Sequence, residues 1–208
     1  MSTIVNTYDT PVVGAVETAP VTGTVLKEVW GAGGGGAVDA GTLLASGSGS
    51  GAYSAHSEPC TAGVTSWTYT VGTGGIGHPA TPDVDGTAGT ASSIVSPAIT
   101  ANGGGAGIAG SSTIPTAATA SGGTINTSGN VPPNGAATYH WGAGAPNGGG
   151  NTSTQPGPGT TPGGGAGSQT SGIGTSKAGG NGRVQFTYTY TGNVIQSLYY
   201  QPKSLYPI

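Results

Sequence analysis

Asn102-Gly103-Gly104-Gly105-Ala106-Gly107 opens a stretch, 102–182, in which glycine clusters again at 148–150 and 163–165 and charge is nearly absent. No apolar periodicity runs through it, so neither an amphipathic helix nor a half-buried strand can be read there. Its flanks differ. Residues 21–30 hold Val21, Val25, Leu26, Val29 and Trp30, and residues 183–190 alternate Val184, Phe186, Tyr188 and Tyr190 with Gln185, Thr187 and Thr189. Glycine is here building material, and β segments clamp it at both ends.

Glycine numbers 44 and proline 15 in 208 residues, a composition that by itself suggests low complexity. Disordered chains are however poor in aromatics and rich in charge. This one has 9 tyrosines and 3 tryptophans with only 5% charged residues, and reads as ordered. The net charge of -3 and the scarcity of Lys and Arg exclude a phosphate-binding surface, so no nucleic-acid partner is expected. The single cysteine, Cys60, excludes an intrachain disulfide framework. No apolar run reaches membrane-spanning length, so no membrane insertion is expected. The opening residues lack a cationic stretch followed by an apolar one, so no signal peptide is expected.

Three forms are open to a glycine-rich stretch. Collagen requires glycine at every third position, which 111–120 breaks. A flexible linker of this length between pairing elements is unusual. The third form is a bundle of left-handed, polyproline-II-type helices, three residues per turn with no internal hydrogen bonds. Their amides and carbonyls must then be satisfied laterally, and only glycine lets backbones approach that closely. The expected fold is therefore all-β with extensive irregular structure, short antiparallel strands clamping a bundle of glycine-rich polyproline-II-type helices. The expected division is an N-terminal arm and first strand and turn at 1–20, a glycine-rich domain at 21–191 and a C-terminal docking tail at 192–208.

Within that frame 6–18 reads as a strand and a turn, and 52–58 as a strand whose hairpin partner is 64–71. Residues 92–101, broken by Pro97, read as an edge strand or two short pieces. Gly31-Ala32-Gly33-Gly34-Gly35-Gly36 fits a dinucleotide fingerprint in spacing, but no helix follows it, so no cofactor is expected. Asp83-Val84-Asp85-Gly86 lacks the further oxygen ligands of a calcium loop. His56, Glu58 and Cys60 raise the question of a metal or a nucleophile, and are read instead as polar residues of an exposed hairpin with no metal site. Asp83 and Asp85 are the only close acidic pair for glycoside cleavage, so no enzyme is expected. Tyr139-His140-Trp141 stands out: three rings in a row where no strand pattern demands them. Either Trp141 fills a local core or the three rings form a receptor contact, since exposed aromatics bind at low entropic cost.

The order of the motifs Val29-Trp30-Gly31 to Gly36, Ser48-Gly49-Ser50-Gly51-Ala52-Tyr53, Tyr69-Thr70-Val71-Gly72, Asp85-Gly86-Thr87-Ala88-Gly89, Ile99-Thr100-Ala101-Asn102-Gly103 and Gly179-Gly180-Asn181-Gly182-Arg183 resembles the glycine-rich domain of bacteriophage tail fibres and tip adhesins. The lead-in from Tyr8 through Pro20 to Trp30 resembles that family's opening hairpin, and the resemblance covers about 5–190. It implies a virion protein, made in the host cytoplasm. Its partners are other virion proteins and a host cell-surface receptor, a glycan or an outer-membrane protein. A homo-oligomer is implied, a trimer by analogy with fibres of this kind. Long inserts at 111–120 and 152–162 and the lack of a shaft domain depart from the pattern. They leave a purely structural decoration or connector as the alternative.

Overall fold

The structure, a computed structural model, describes residues 1–39, 45–78, 83–111, 113–132, 141–147, 157–168 and 175–192. The described residues form strands and irregular segments without a helix. The strands are β1 (Ser2–Tyr8), β2 (Val12–Thr18), β3 (Gly23–Trp30), β4 (Tyr53–Cys60), β5 (Ser66–Val71), β6 (Ser92–Ile94), β7 (Ile99–Ala101), β8 (Ala120–Ser121), β9 (Ile125–Thr127) and β10 (Arg183–Tyr190). They make two five-stranded antiparallel sheets, ordered β1-β10-β3-β4-β9 and β2-β5-β6-β7-β8.

The inward faces of both sheets meet in one core. β10 sends Val184, Phe186 and Tyr188 inward, and β5 answers with Trp67, Tyr69 and Val71. Phe186 lies 5.5 Å from Trp67 and 5.9 Å from Tyr69 between ring centroids, in the range where aromatic pairs attract. The strict alternation of β10 thus does what the sequence leads one to expect.

Two pairings differ from the sequence reading. β4 and β5 are not a hairpin: β4 pairs with β3 and β9, while β5 pairs with β2 and β6 in the other sheet. The rings of β5 are needed opposite β10, across the core rather than beside β4. The opening hairpin that the resemblance implies from Tyr8 through Pro20 to Trp30 does not form either: β2 and β3 lie in different sheets, and β1 and β2 are joined as an arch, each in a different sheet. Glu17, only 6% exposed, fastens this arch by accepting from Asn6 Nδ2 at 2.7 Å, Tyr8 Oη at 2.6 Å and Tyr188 Oη at 2.7 Å. Of the two readings of 92–101, the two short pieces form: β6 and β7 lie inside the second sheet and Pro97 falls in the turn between them.

Beyond the strands the chain continues into extended segments that lie side by side. Residues 31–36 are central. Their amides donate in rotation to Ala52, Thr90 and Gly180 carbonyls from Gly31, Ala32 and Gly33, then to Gly49, Thr87 and Lys177 from Gly34, Gly35 and Gly36. Every third amide returns to the same neighbour, a repeat of three where a strand has two. The carbonyls serve three other neighbours: Ala32 and Gly35 accept from Gly104 and Gly107, Gly33 from Gly75 and Gly34 from Ala166. These bonds measure 2.8 to 3.1 Å.

The six neighbours also bond to one another in a closed ring. Segment 45–52 donates to 102–108 through Gly49 to Gly105, and 84–91 donates to 102–108 through Gly89 to Gly104. Thr87 and Thr90 donate to Ile76 and Thr73 of 72–78, which accepts from Ser176 and Gly179 of 175–182. Gly180 donates to Gly164 of 163–168, and Ser48 of 45–52 closes the ring onto Ala166; 157–160 turns back at 161–163 and lies against 164–168 through Gly164 to Thr160 and Gly167 to Gly157. The order of the paired residues makes each member of the ring antiparallel to the next. Side chains have no room inside: a Cβ on Gly33 would overlap the Gly164 carbonyl oxygen.

A net gain of about 0.5–1.5 kcal/mol per hydrogen bond falls short of the roughly 1–2 kcal/mol that ordering each residue costs. The bundle therefore depends on the aromatic sandwich to which its segments are joined at Trp30, Tyr53, Val71, Ser92, Ala101 and Arg183.

Candidate functional site

Because neighbouring segments alternate in direction, each one that leaves the sandwich has a neighbour that returns to it. Among the described residues the turn at 109–110 lies at the pole opposite the strands, whereas the turn at 161–163 lies beside Gly31 at the sandwich end. Isolated bridges mark the far pole, Val38 with Val84 and Ala45 with Ala109. Polar side chains replace lateral backbone bonds where the segments end. Ser168 Oγ accepts from Ala37 N at 2.9 Å and donates to the Ser46 carbonyl. Ser46 Oγ accepts from Ile108 N at 2.9 Å, and Ser176 Oγ from His78 N at 2.7 Å. Two carboxylates hold the turn at 109–110: Asp85 Oδ1 accepts from Ala109 N at 2.7 Å and Asp39 Oδ2 from Gly110 N at 3.2 Å. Asp85 is thus engaged in closing the far pole, a use its place in Asp83-Val84-Asp85-Gly86 did not suggest.

Of the aromatic triplet, Tyr139 and His140 lie outside the described residues. Trp141 is half-buried, and its carbonyl oxygen presses on 45–52 so closely that a Cβ on Gly47 would overlap it. Two residues on, Ala143 N donates to the Ser48 carbonyl at 3.0 Å. Trp141 is therefore anchored to the outside of the bundle through its backbone.

His56, Glu58 and Cys60 do not form the exposed hairpin read from the sequence. They face the interior side of β4: His56 and Glu58 join a polar cluster around Lys27, whose side chain is 0% exposed, while Cys60 packs in the hydrophobic core and its thiol donates to the Val21 carbonyl at 3.5 Å. Lys27 takes an inward position of β3 between Val25 and Val29. Its Nζ donates to Glu58 Oε1 at 2.8 Å and to the Ser96 carbonyl at 3.3 Å, 5.6 Å from the Trp67 ring centroid. Trp67 Nε1 donates to the same Glu58 oxygen at 2.6 Å, and His56 Nε2 lies 3.9 Å from the other. Burial lowers the Lys27 pKa, and the Glu58 carboxylate opposes that shift. Burial raises that of the Cys60 thiol, which favours the unreactive protonated form. The arrangement ties β3, β4, β5 and the β6–β7 turn together. Among the described residues no three His, Cys, Asp or Glu side chains converge as a metal site requires.

Where the sandwich meets the glycine segments, Arg183 binds Asp9 through two bonds, Nε to Oδ1 at 2.6 Å and a terminal nitrogen to Oδ2 at 2.9 Å. That pair raises the Arg183 pKa and fixes the arch turn. Beside the turn lies an open groove of about 550 Å³ lined by Pro11, Val12, Val13, Thr70, Val71 and Thr73. Sequence reading missed it, because it exists only where the arch passes between the sheets.

A two-sheet all-β protein whose strands extend into hydrogen-bonded glycine segments is the class these features define. The family model described as a glycine-rich domain matches residues 10–190, and the chain belongs to that family. No curated protein matches it.

Proposed function

We propose that the protein is a non-enzymatic bacteriophage virion surface protein, a tail fibre or adhesin, whose far pole meets a host cell-surface molecule. The observation that carries this reading is the ring of alternating, laterally bonded segments, which holds the turn at 109–110 at the end away from the strands. A sandwich at the other end is free to join other virion proteins. In this reading the glycine segments are polyproline-II-type helices, for which the repeat of three in the amides of 31–36 is the support. The order of glycine motifs along the chain supports the phage assignment by resemblance. Loops on a rigid scaffold are the usual place for recognition.

The test applies fluorescently labelled protein to a panel of bacterial strains and measures retention on cells. At least one strain retains it, and alanine at Tyr139, His140 and Trp141 together lowers retention tenfold or more, with the melting temperature within a few degrees of the parent. Retention on no strain favours the alternative, a structural virion component with no receptor. Undiminished retention by the triple variant removes those three residues from the site.

A further inference from the structure

The sandwich has four edge strands, and three are guarded. β8 has 2 residues and β9 has 3, too short to template another chain. β2 breaks register between Val12 and Ala15, with Gly14 at φ +70°, a bulge of the kind that blunts an edge. β1 has no such protection. Its residues Ser2 to Tyr8 pair with β10 in unbroken register, without proline or charge, and β10 is its one partner strand among the described residues. Among the described residues no strand pairs with the amides and carbonyls of its outer flank.

The sequence of β1 says what fits there. Thr3, Val5 and Thr7 are exposed on one face, Val5 to 54%, while Ile4, Asn6 and Tyr8 are half-buried on the other. Thr-x-Val-x-Thr reads the same in both directions. Turned about a two-fold axis through Val5, the strand places Val5 against Val5 of the copy and Thr3 against Thr7. Aliphatic and Thr–Thr cross-strand pairs of this kind are favourable.

We infer that β1 pairs antiparallel with β1 of a second copy, joining the two β1-β10-β3-β4-β9 sheets across a two-fold axis. Such an isologous contact closes on itself. A single short edge provides less than the roughly 1,200–2,000 Å² of stable interfaces, so the dimer is concentration-dependent.

The experiment uses the full chain in a light-scattering concentration series. The expected mass rises toward twice the chain's 19.7 kDa. Val5→Lys sets like charges opposite each other at the axis, and is expected to raise the dimer dissociation constant at least tenfold at unchanged melting temperature. Val5→Cys is expected to give a disulfide-linked dimer on mild oxidation, because directly opposed strand residues lie about 4.5–5.5 Å apart between Cα atoms. Cys60, buried and with its thiol pKa raised, does not compete. A monomer at all concentrations without cross-linking overturns the inference, and so does a trimer. A monomeric parent whose melting temperature falls with Val5→Lys also overturns it, since the chain's own residues 193–208 then occupy the edge. A dimer indifferent to Val5→Lys uses another surface, and equally overturns it.

Discussion

Gly33 and Gly63 are both glycine for reasons a substitution can separate. Around Gly33 a Cβ meets the Gly164 backbone, whereas Gly63 has open space but φ at +67°. Gly33→Ala must push one segment off another and is expected to cost about 3 kcal/mol, the upper end for overpacking. Gly63→Ala meets only the left-handed backbone penalty, about 1–2 kcal/mol. Urea titrations of the two variants measure the difference. Glu58 invites a second test. Glu58→Ala leaves Lys27 buried without its carboxylate and is expected to cost about 3–5 kcal/mol, whereas Lys27→Met with Glu58→Leu is expected to restore most of the loss. No sequence pattern announced this pair, because a lysine between two valines reads as an irregularity in a strand; only the β3–β4 register shows its partner.

At the scale of the elements, β10 was the most legible part of the chain, and the reason is local. Its alternation demands one apolar face, and the structure supplies one. The partners of β4, of β5 and of the β1–β2 arch depend on contacts distant in sequence, which periodicity does not encode. The arch nevertheless has a signature in pH. Burial and the Glu17 carboxylate raise the Tyr188 and Tyr8 pKa values, and burial with Glu28 raises that of Tyr53. Each raised phenol contributes stability that is complete below the unfolded value of about 10 and is lost as pH climbs from there toward the folded value. Lys27 has the opposite sign. Its folded pKa is lowered, so its penalty is present below the folded value and is relieved as pH approaches about 10.5. Burial raises the Tyr69 pKa as well, so four phenols oppose one amine, and stability is expected to fall steeply above pH 10. Tyr188→Phe is expected to flatten that fall by up to about 1.4 kcal/mol per pH unit, measured by denaturant titration at a series of alkaline pH values. An unchanged slope would mean that this phenol keeps the same proton affinity in both states.

Across the whole molecule, the glycine clusters were legible as lateral packing material, because composition and the absence of periodicity leave little else. Which segment lies in the middle was not. Residues 31–36 are close in composition to 102–107, and their central position emerges once the segments have been arranged around them. The candidate site is split in the same way: Trp141 is placed, while Tyr139 and His140 fall outside the described residues. Hydrogen exchange tests the arrangement directly. Amides of Gly33 to Gly36 are expected to exchange as slowly as those of β10, although no strand contains them. Exchange at coil rates would mean that the lateral bonds do not hold in solution.

The alternating ring has a mechanical consequence. Ser2 and Tyr190 sit side by side at the pole away from the glycine segments, so a molecule tethered there and gripped at its tip is stretched along the segments. The lateral bonds lie across that direction. Tension therefore shears many of them together instead of peeling them one at a time, and a material almost without side chains resists being pulled apart as a cable does, by sharing the load.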